Sequence, residues 1–182
     1  MDYVQTEVLF SREEIRNKVA EMGKRISEDY AGCEILVVGI LKGAFIFMAD
    51  LVREIKVPLE IDFMDVSSYG LSTSSSGEVR IIKDLEYSVQ DKEVLIIEDI
   101  VDTGLTLKHI TDILRTRNPR NIKICCLLDK PSRRKVSMIA DYVGYSIPDR
   151  FVVGYGLDYA EQYRNYPDVC IIKPATEDNK LK

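Results

Sequence analysis

The chain has 182 residues, 25 basic against 30 acidic side chains, and a formal net charge of −5. Hydrophobic residues make up 46% and charged residues 30%, which excludes a disordered chain and suits one domain over residues 1–182. An acidic chain lacks the basic footprint of a nucleic-acid binder, so no nucleic-acid partner is expected.

Ser11-Arg-Glu-Glu14 reads as a capping box. Ile15, Val19, Met22 and Ile26 then recur at spacings of 4, 3 and 4, which predicts an amphipathic helix ending near Gly32. Residues 34–40 (EILVVGI) form a nearly continuous apolar run, as expected of a central strand buried on both faces. Leu41-Lys-Gly43 reads as a turn, and residues 44–55 read as a helix that stops before Pro58. Leu59, Ile61 and Phe63 alternate with Glu60 and Asp62, which predicts a half-exposed strand. Residues 67–77 hold six serines, one threonine and two glycines, a composition too polar to pack, so a mobile loop is expected.

Residues 79–83 and 94–97 read as strands joined by a polar turn. Leu107, Ile110 and Leu114 give helical spacing to residues 103–115, and Asn118-Pro119 stops that helix. Residues 122–128 form another apolar strand, followed by short strand candidates, a segment at 159–166, and a last strand at 169–172. Strands alternating with helices imply an α/β fold around a mostly parallel twisted sheet flanked by helices. Such sheets bind ligands beyond the carboxyl ends of their strands, here after Ile40, Ile97, Leu128 and Val153.

Cys33, Cys125, Cys126 and Cys170 include no C-x-x-C pair, so neither a zinc site nor a disulfide framework is expected, and the compartment is read as reducing and cytoplasmic. The opening residues MDYVQTEVLF show no signal-peptide pattern. The longest uncharged apolar stretch, residues 35–41, is too short to cross a bilayer, so no membrane partner is expected. His109 is the single histidine, which argues against Ser-His-Asp and Cys-His catalysis and leaves acid–base work to carboxylates or lysines. By itself, His109 reads as an exposed helix residue.

The chemistry concentrates in Glu98-Asp-Ile-Val-Asp-Thr-Gly-Leu-Thr106, between a buried strand and a helix. A helix start offers unpaired N–H groups and a positive dipole end, which suit a phosphate. Gly104 admits close backbone approach, Thr103 and Thr106 add hydroxyls, and Asp102 also reads as a helix N-cap. A carboxylate pair suits two vicinal sugar hydroxyls, each a hydrogen-bond donor. A phosphate at one end and a diol at the other describe a ribose 5-phosphate.

Residues 94–106 resemble the binding loop for 5-phosphoribosyl-1-diphosphate (PRPP) in type I phosphoribosyltransferases. Leu41-Lys-Gly43, Ser67-Ser-Tyr69, Lys130, Phe151-Val-Val-Gly-Tyr-Gly-Leu-Asp-Tyr159 and Arg164 extend the likeness over almost the whole chain, toward the hypoxanthine-guanine enzymes. The resemblance implies the fold of that family, with a small hood formed by the chain ends and 67–77 as a flexible catalytic loop. It implies purine salvage: hypoxanthine or guanine plus PRPP gives IMP or GMP plus diphosphate, through an oxocarbenium-like transition state. Residue by residue, Glu98 and Asp99 match the ribose-binding pair, and Asp102, Thr103, Gly104, Leu105 and Thr106 match the 5-phosphate cradle. Asp102 also matches the catalytic residue beside purine N7. Lys42 and Gly43 match the diphosphate-binding turn, where the family carries a non-proline cis peptide, and Arg164 matches a further diphosphate contact. Lys130, Phe151, Val152 and Asp158 match the purine site, and Ser68 and Tyr69 match the closing loop. Mg²⁺ is the implied cofactor, with Asp158 as ligand and Glu98 and Asp99 as further candidates. A homodimer or homotetramer is implied as well.

Two other readings compete. The triplet Asp102-Thr-Gly104 also occurs in aspartic proteases, but Leu105 follows it and a helix pattern comes next. A PRPP- or nucleotide-sensing regulator of the same fold that binds nucleic acid is the remaining alternative.

Overall fold

The computed structural model describes residues 5–68 and 79–173. The chain runs β1 (Gln5–Phe10), α1 (Arg12–Asp29), β2 (Ile35–Leu41), α2 (Phe45–Glu54), β3 (Leu59–Ser68) and β4 (Val79–Lys83). It continues with β5 (Glu93–Val101), α3 (Leu105–Arg115), β6 (Asn121–Asp129), a 3₁₀ turn (Pro131–Arg133), β7 (Tyr142–Ser146), β8 (Val152–Val153) and β9 (Val169–Lys173).

α1 starts as its capping box requires. Ser11 Oγ accepts from Glu14 N–H at 3.3 Å, and the Glu14 carboxylate accepts from Ser11 N–H at 2.9 Å. Its apolar stripe, Ile15, Val19, Met22 and Ile26, is buried.

Six strands form the main sheet in the order β4-β3-β2-β5-β6-β7, parallel except for β4. The central strands are buried on both faces. Ile35, Val37, Leu95, Ile97, Cys125 and Leu127 pack with α1 and α2. Leu36, Val38, Ile40, Val94, Ile96 and Cys126 point the other way and pack with α3. This two-sided burial is why these strands read as continuous apolar runs rather than alternating ones.

Connections from β2 and β5 leave in opposite directions, through α2 to β3 and through α3 to β6. The carboxyl ends of β2 and β5 therefore flank a crevice at the switch point, the place where such sheets hold ligands. The expected hood is the antiparallel sheet β1-β9-β8. Val152 and Val169 join it to the α1–α2 side of the core, and Arg12 N–H donates to Asp168 Oδ1 at 2.6 Å. Among the described residues no helix is long and apolar enough to cross a membrane.

Several expectations are corrected. β4 and β5 are not partners across a turn: β3 and β2 lie between them. In β3 the expected alternation fails, because Ile61 is 48% exposed and Asp62 is buried. Asp62 turns inward because it has donors there, the N–H groups of Phe63 at 2.7 Å and Glu86 at 2.8 Å, with Lys83 Nζ at 3.4 Å. β5 runs through Val101, so Glu98 and Asp99 lie within the strand and not beyond it. α3 begins at Leu105 rather than Thr103, and Gly104, not Asp102, holds the N-cap position. The segment that follows β8 is looped over residues 158–164, with positive φ at Ala160, Glu161 and Tyr163. His109 is half-buried. Ser68 ends β3, whereas Tyr69 and most of the 67–77 loop lie outside the described residues.

Candidate active site

The crevice is a cleft of about 290 Å³, with walls from the ends of β2 and β5, the β5–α3 loop and the loop before β9. Among its lining residues are Lys42, Gly43, Glu98, Asp99, Asp102 and Arg164. Thr103, Gly104, Thr106 and Asp158 line it too. The Leu41–Lys42 peptide is cis.

Gly43 is fitted to Asp99: a Cβ at position 43 would land on the Asp99 carboxylate. Gly156, at φ +103°, is fitted to Gly43 in turn, since a Cβ there would collide with the Gly43 carbonyl oxygen. The turn after β2 thus lies directly against the acidic pair, with no room for side chains between them.

Glu98 is 9% exposed, and burial with Asp99 beside it pushes its carboxyl well above the ordinary range. Burial also raises Asp99, opposed by its contact with Glu98, by the Ile100 N–H at 2.7 Å and by the Arg164 cation. Two neighbouring carboxyls repel each other, and hydroxyl donors or a cation would relieve that repulsion.

Arg164 donates to the Gly156 carbonyl at 2.8 Å and pairs with Asp158 at 2.9 Å and Glu161 at 3.4 Å. Its buried Nε has no partner among the described residues. Lys42 Nζ reaches Glu161 at 3.0 Å. Among the described residues no three acidic, histidine or cysteine side chains converge as a ready-made metal cage. Mg²⁺ does not need one, because it takes one or two carboxylates together with substrate oxygens. Asp158, Glu98 and Asp99 share the cleft and have the hard oxygen chemistry that fits such an ion.

A chain of alternating charges runs out from the cleft. Asp102 Oδ1 accepts from Arg133 Nε at 3.1 Å, Arg133 lies 3.6 Å from Asp149, and Asp149 lies 3.8 Å from Lys130 Nζ. Lys130 is only 7% exposed, and its single ion-pair partner among the described residues is beyond hydrogen-bond length. Phe151 is 54% exposed and meets Tyr159 edge-on at 5.5 Å, while Val152 beside it is buried.

Residues 6–160 match the phosphoribosyl transferase domain family. The chain belongs to that family. It is 56% identical to a hypoxanthine-guanine phosphoribosyltransferase of Bacillus subtilis (strain 168) over 172 residues, 94% of this chain and 96% of that one. A hypoxanthine-guanine phosphoribosyltransferase of Staphylococcus aureus (strain Mu50) is 54% identical over 95% of this chain and 97% of its own length. The crystal structure of a Staphylococcus aureus hypoxanthine phosphoribosyltransferase superposes with a TM-score of 0.89 at 55% identity, covering 92% of this chain and 91% of that one. Among phosphoribosyltransferases, then, this chain is an enzyme of the hypoxanthine-guanine group.

Within this phosphoribosyltransferase, Lys42, Gly43, Glu98, Asp99, Asp102, Thr103, Gly104, Thr106, Asp158 and Arg164 all fall on one cleft. Leu105 opens α3 at its edge. Lys130, Phe151 and Val152 are not among the cleft walls, and the Asp149–Arg133 charge chain links Lys130 to the rim at Asp102. Sequence reasoning missed Asp129, Asp149, Gly156 and Glu161, and gave Arg133 and Arg134 no role. The run Arg133-Arg134-Lys135 was legible as a cluster of charge, but nothing in it told which cation turns inward.

Proposed function

We propose that this chain makes IMP or GMP from hypoxanthine or guanine and PRPP, as one phosphoribosyltransferase domain over residues 1–182 acting in the cytoplasm. The observation that carries the reading is the cleft at the switch point, where the buried Glu98, the half-buried Asp99 beside it, a helix start and an arginine converge. The 5-phosphate sits on the loop 102–106, with the first N–H groups of α3 and the hydroxyls of Thr103 and Thr106 as donors. Glu98 and Asp99 accept from the two ribose hydroxyls and place negative charge near the sugar as C1 becomes cationic. Lys42, the N–H of Gly43 and the Arg164 cation take the diphosphate.

The purine stacks on the open ring of Phe151 along the Val152 backbone, and Lys130 donates to its 6-oxygen. As N9 bonds to C1, the bond from C1 to the diphosphate oxygen breaks, and the proton on N7 passes to Asp102. Arg133 uses Oδ1 of that carboxylate, which leaves Oδ2 for N7. Mg²⁺, held by Asp158 and the Glu98–Asp99 side with the substrate's own oxygens, would neutralise charge on the departing diphosphate. A homodimer or homotetramer belongs to the same reading, and light scattering tests it.

The regulator alternative gains no support, since the relatives carry enzyme names. The decisive experiment is a steady-state assay with PRPP, Mg²⁺ and single bases. Nucleotide should form with hypoxanthine or guanine, and absence of product with every 6-oxopurine would overturn the reading.

A further inference from the structure

The segment after β6 grips the loop after β5 by three consecutive carbonyls. Lys130 N–H donates to Val101 O at 2.9 Å, and Lys135 N–H donates to Thr103 O at 3.0 Å. Between them, the Arg134 guanidinium donates to Asp102 O at 2.6 Å. These peptides are trans, and a trans peptide points its N–H opposite its carbonyl. Turning three carbonyls toward residues 130–135 therefore turns the N–H groups of Asp102, Thr103 and Gly104 the other way. That way lies the cleft, which the same three residues line. Successive N–H groups aimed to one side form an anion-binding concavity.

Two of the three tethers are main chain to main chain. Only the middle one depends on a side chain. Arg134 is mostly buried, with its other arm on the equally buried Asp129 carboxylate at the end of β6. Its Cδ lies 3.0 Å from where a Cβ on Gly104 would sit, so the arginine stem also backs the turn at φ +79°. The guanidinium fork fits this task, because its planar donors reach a carboxylate and a carbonyl at once, whereas an ammonium lacks that fixed fork.

We propose that Arg134 is a positioning residue for the sugar phosphate: its fork between Asp129 and the Asp102 carbonyl holds the Asp102–Thr103 peptide with its N–H facing the 5-phosphate. The proposal rests on the reading of 102–106 as the phosphate cradle. Arg134 never touches the substrate, and its effect passes through one peptide plane. Because Lys130 begins the same segment, the purine partner and the phosphate cradle hang on one short brace.

The test is Arg134→Lys in the full chain, with ribose 5-phosphate binding by calorimetry, KM for PRPP and for hypoxanthine, and Tm. Lysine keeps the charge beside Asp129 and loses the fork. Affinity for ribose 5-phosphate and PRPP should fall about tenfold or more, the scale at which supporting partners of a ligand-binding group act. KM for hypoxanthine at saturating PRPP should stay near the wild-type value, and Tm should move little. Unchanged ribose 5-phosphate affinity overturns the proposal, and so does a parallel loss of Tm and of both substrates, which marks a support of the fold alone. If Arg134→Lys does not fold, the double variant Asp129→Asn/Arg134→Gln removes both charges together and is read by the same affinities. Failure of the underlying reading looks different: the wild-type protein itself would bind no ribose 5-phosphate, and the proposal would fall with it.

Discussion

Asp102 has one carboxylate oxygen on Arg133 and the other turned to no partner among the described residues. Asp102→Asn keeps the shape and removes the proton acceptor. Turnover should fall by roughly 10²–10⁴, the scale of a lost general base, while PRPP binding persists because the main-chain donors of the cradle remain. Single-turnover kinetics beside PRPP titration separate the two, and near-wild-type turnover would count against the role. Gly43 gives a second check. In Gly43→Ala the new methyl must displace the Asp99 carboxylate. A shift of about 1 Å at a reacting centre can cost about 10²-fold, so activity should drop by that order with PRPP and 6-oxopurine saturating. Gly32→Ala, with nothing near its missing side chain but at φ +80°, should cost stability by backbone strain while the folded enzyme shows no such loss in the same assay.

β3 and β4 depend on an acid that looks misplaced in the sequence. Asp62 is buried, which works against its charge, but the N–H groups of Phe63 and Glu86 and the Lys83 ammonium outweigh that burial and hold it below the usual carboxylate range. A carboxyl lowered by folding contributes stability above its unfolded pKa and loses it as pH falls through the folded value. Asp62→Ala strands two N–H donors and should cost about 2–4 kcal/mol at pH 7. The gap from wild type should narrow as pH drops below the ordinary carboxylate range. Urea melts at pH 7 and in acid measure both, and a gap that widens in acid would contradict the linkage. α3 shows how an element start sets chemistry: Gly104 in the cap position brings no capping side chain of its own, and only the Thr103 hydroxyl oxygen accepts from the Leu105 N–H, at 3.4 Å.

The proposed purine site draws on segments far apart in the chain: Lys130 beyond β6, Phe151 before β8, and Asp102 beyond β5. A buried ammonium can only donate, and it sits 3.8 Å from the nearest carboxylate. The 6-oxygen of hypoxanthine accepts, whereas the 6-amino group of adenine presents hydrogens. Adenine should therefore be rejected, with kcat/KM lower by up to about 10⁴, because a buried donor would be left unpaired. Lys130→Met should weaken hypoxanthine use and narrow that gap. Competition assays between the two bases check this, and efficient use of adenine by the wild type would refute the assignment.

The local patterns were legible in the sequence because they rest on local physics. The Ser11–Glu14 box, the α1 stripe, the two-sided apolar strands and the acid-to-threonine segment of 98–106 each depend on spacing within a few residues. The order of strands was not legible, because pairing joins residues far apart and periodicity carries no address. Nor was the inward turn of Asp62, since its donors come from Lys83 and Glu86, across a strand pair. Residues 158–164 gave no element, and the structure loops them, with positive φ at three residues, around the Asp158–Arg164 pair. Arg133 and Arg134 are neighbours of one charge, and one takes a carboxylate at the cleft while the other reaches a buried acid and a carbonyl. Composition is blind to that difference: direction in space is set by what packs on either side, and only the closed fold brings β6 against the loop after β5.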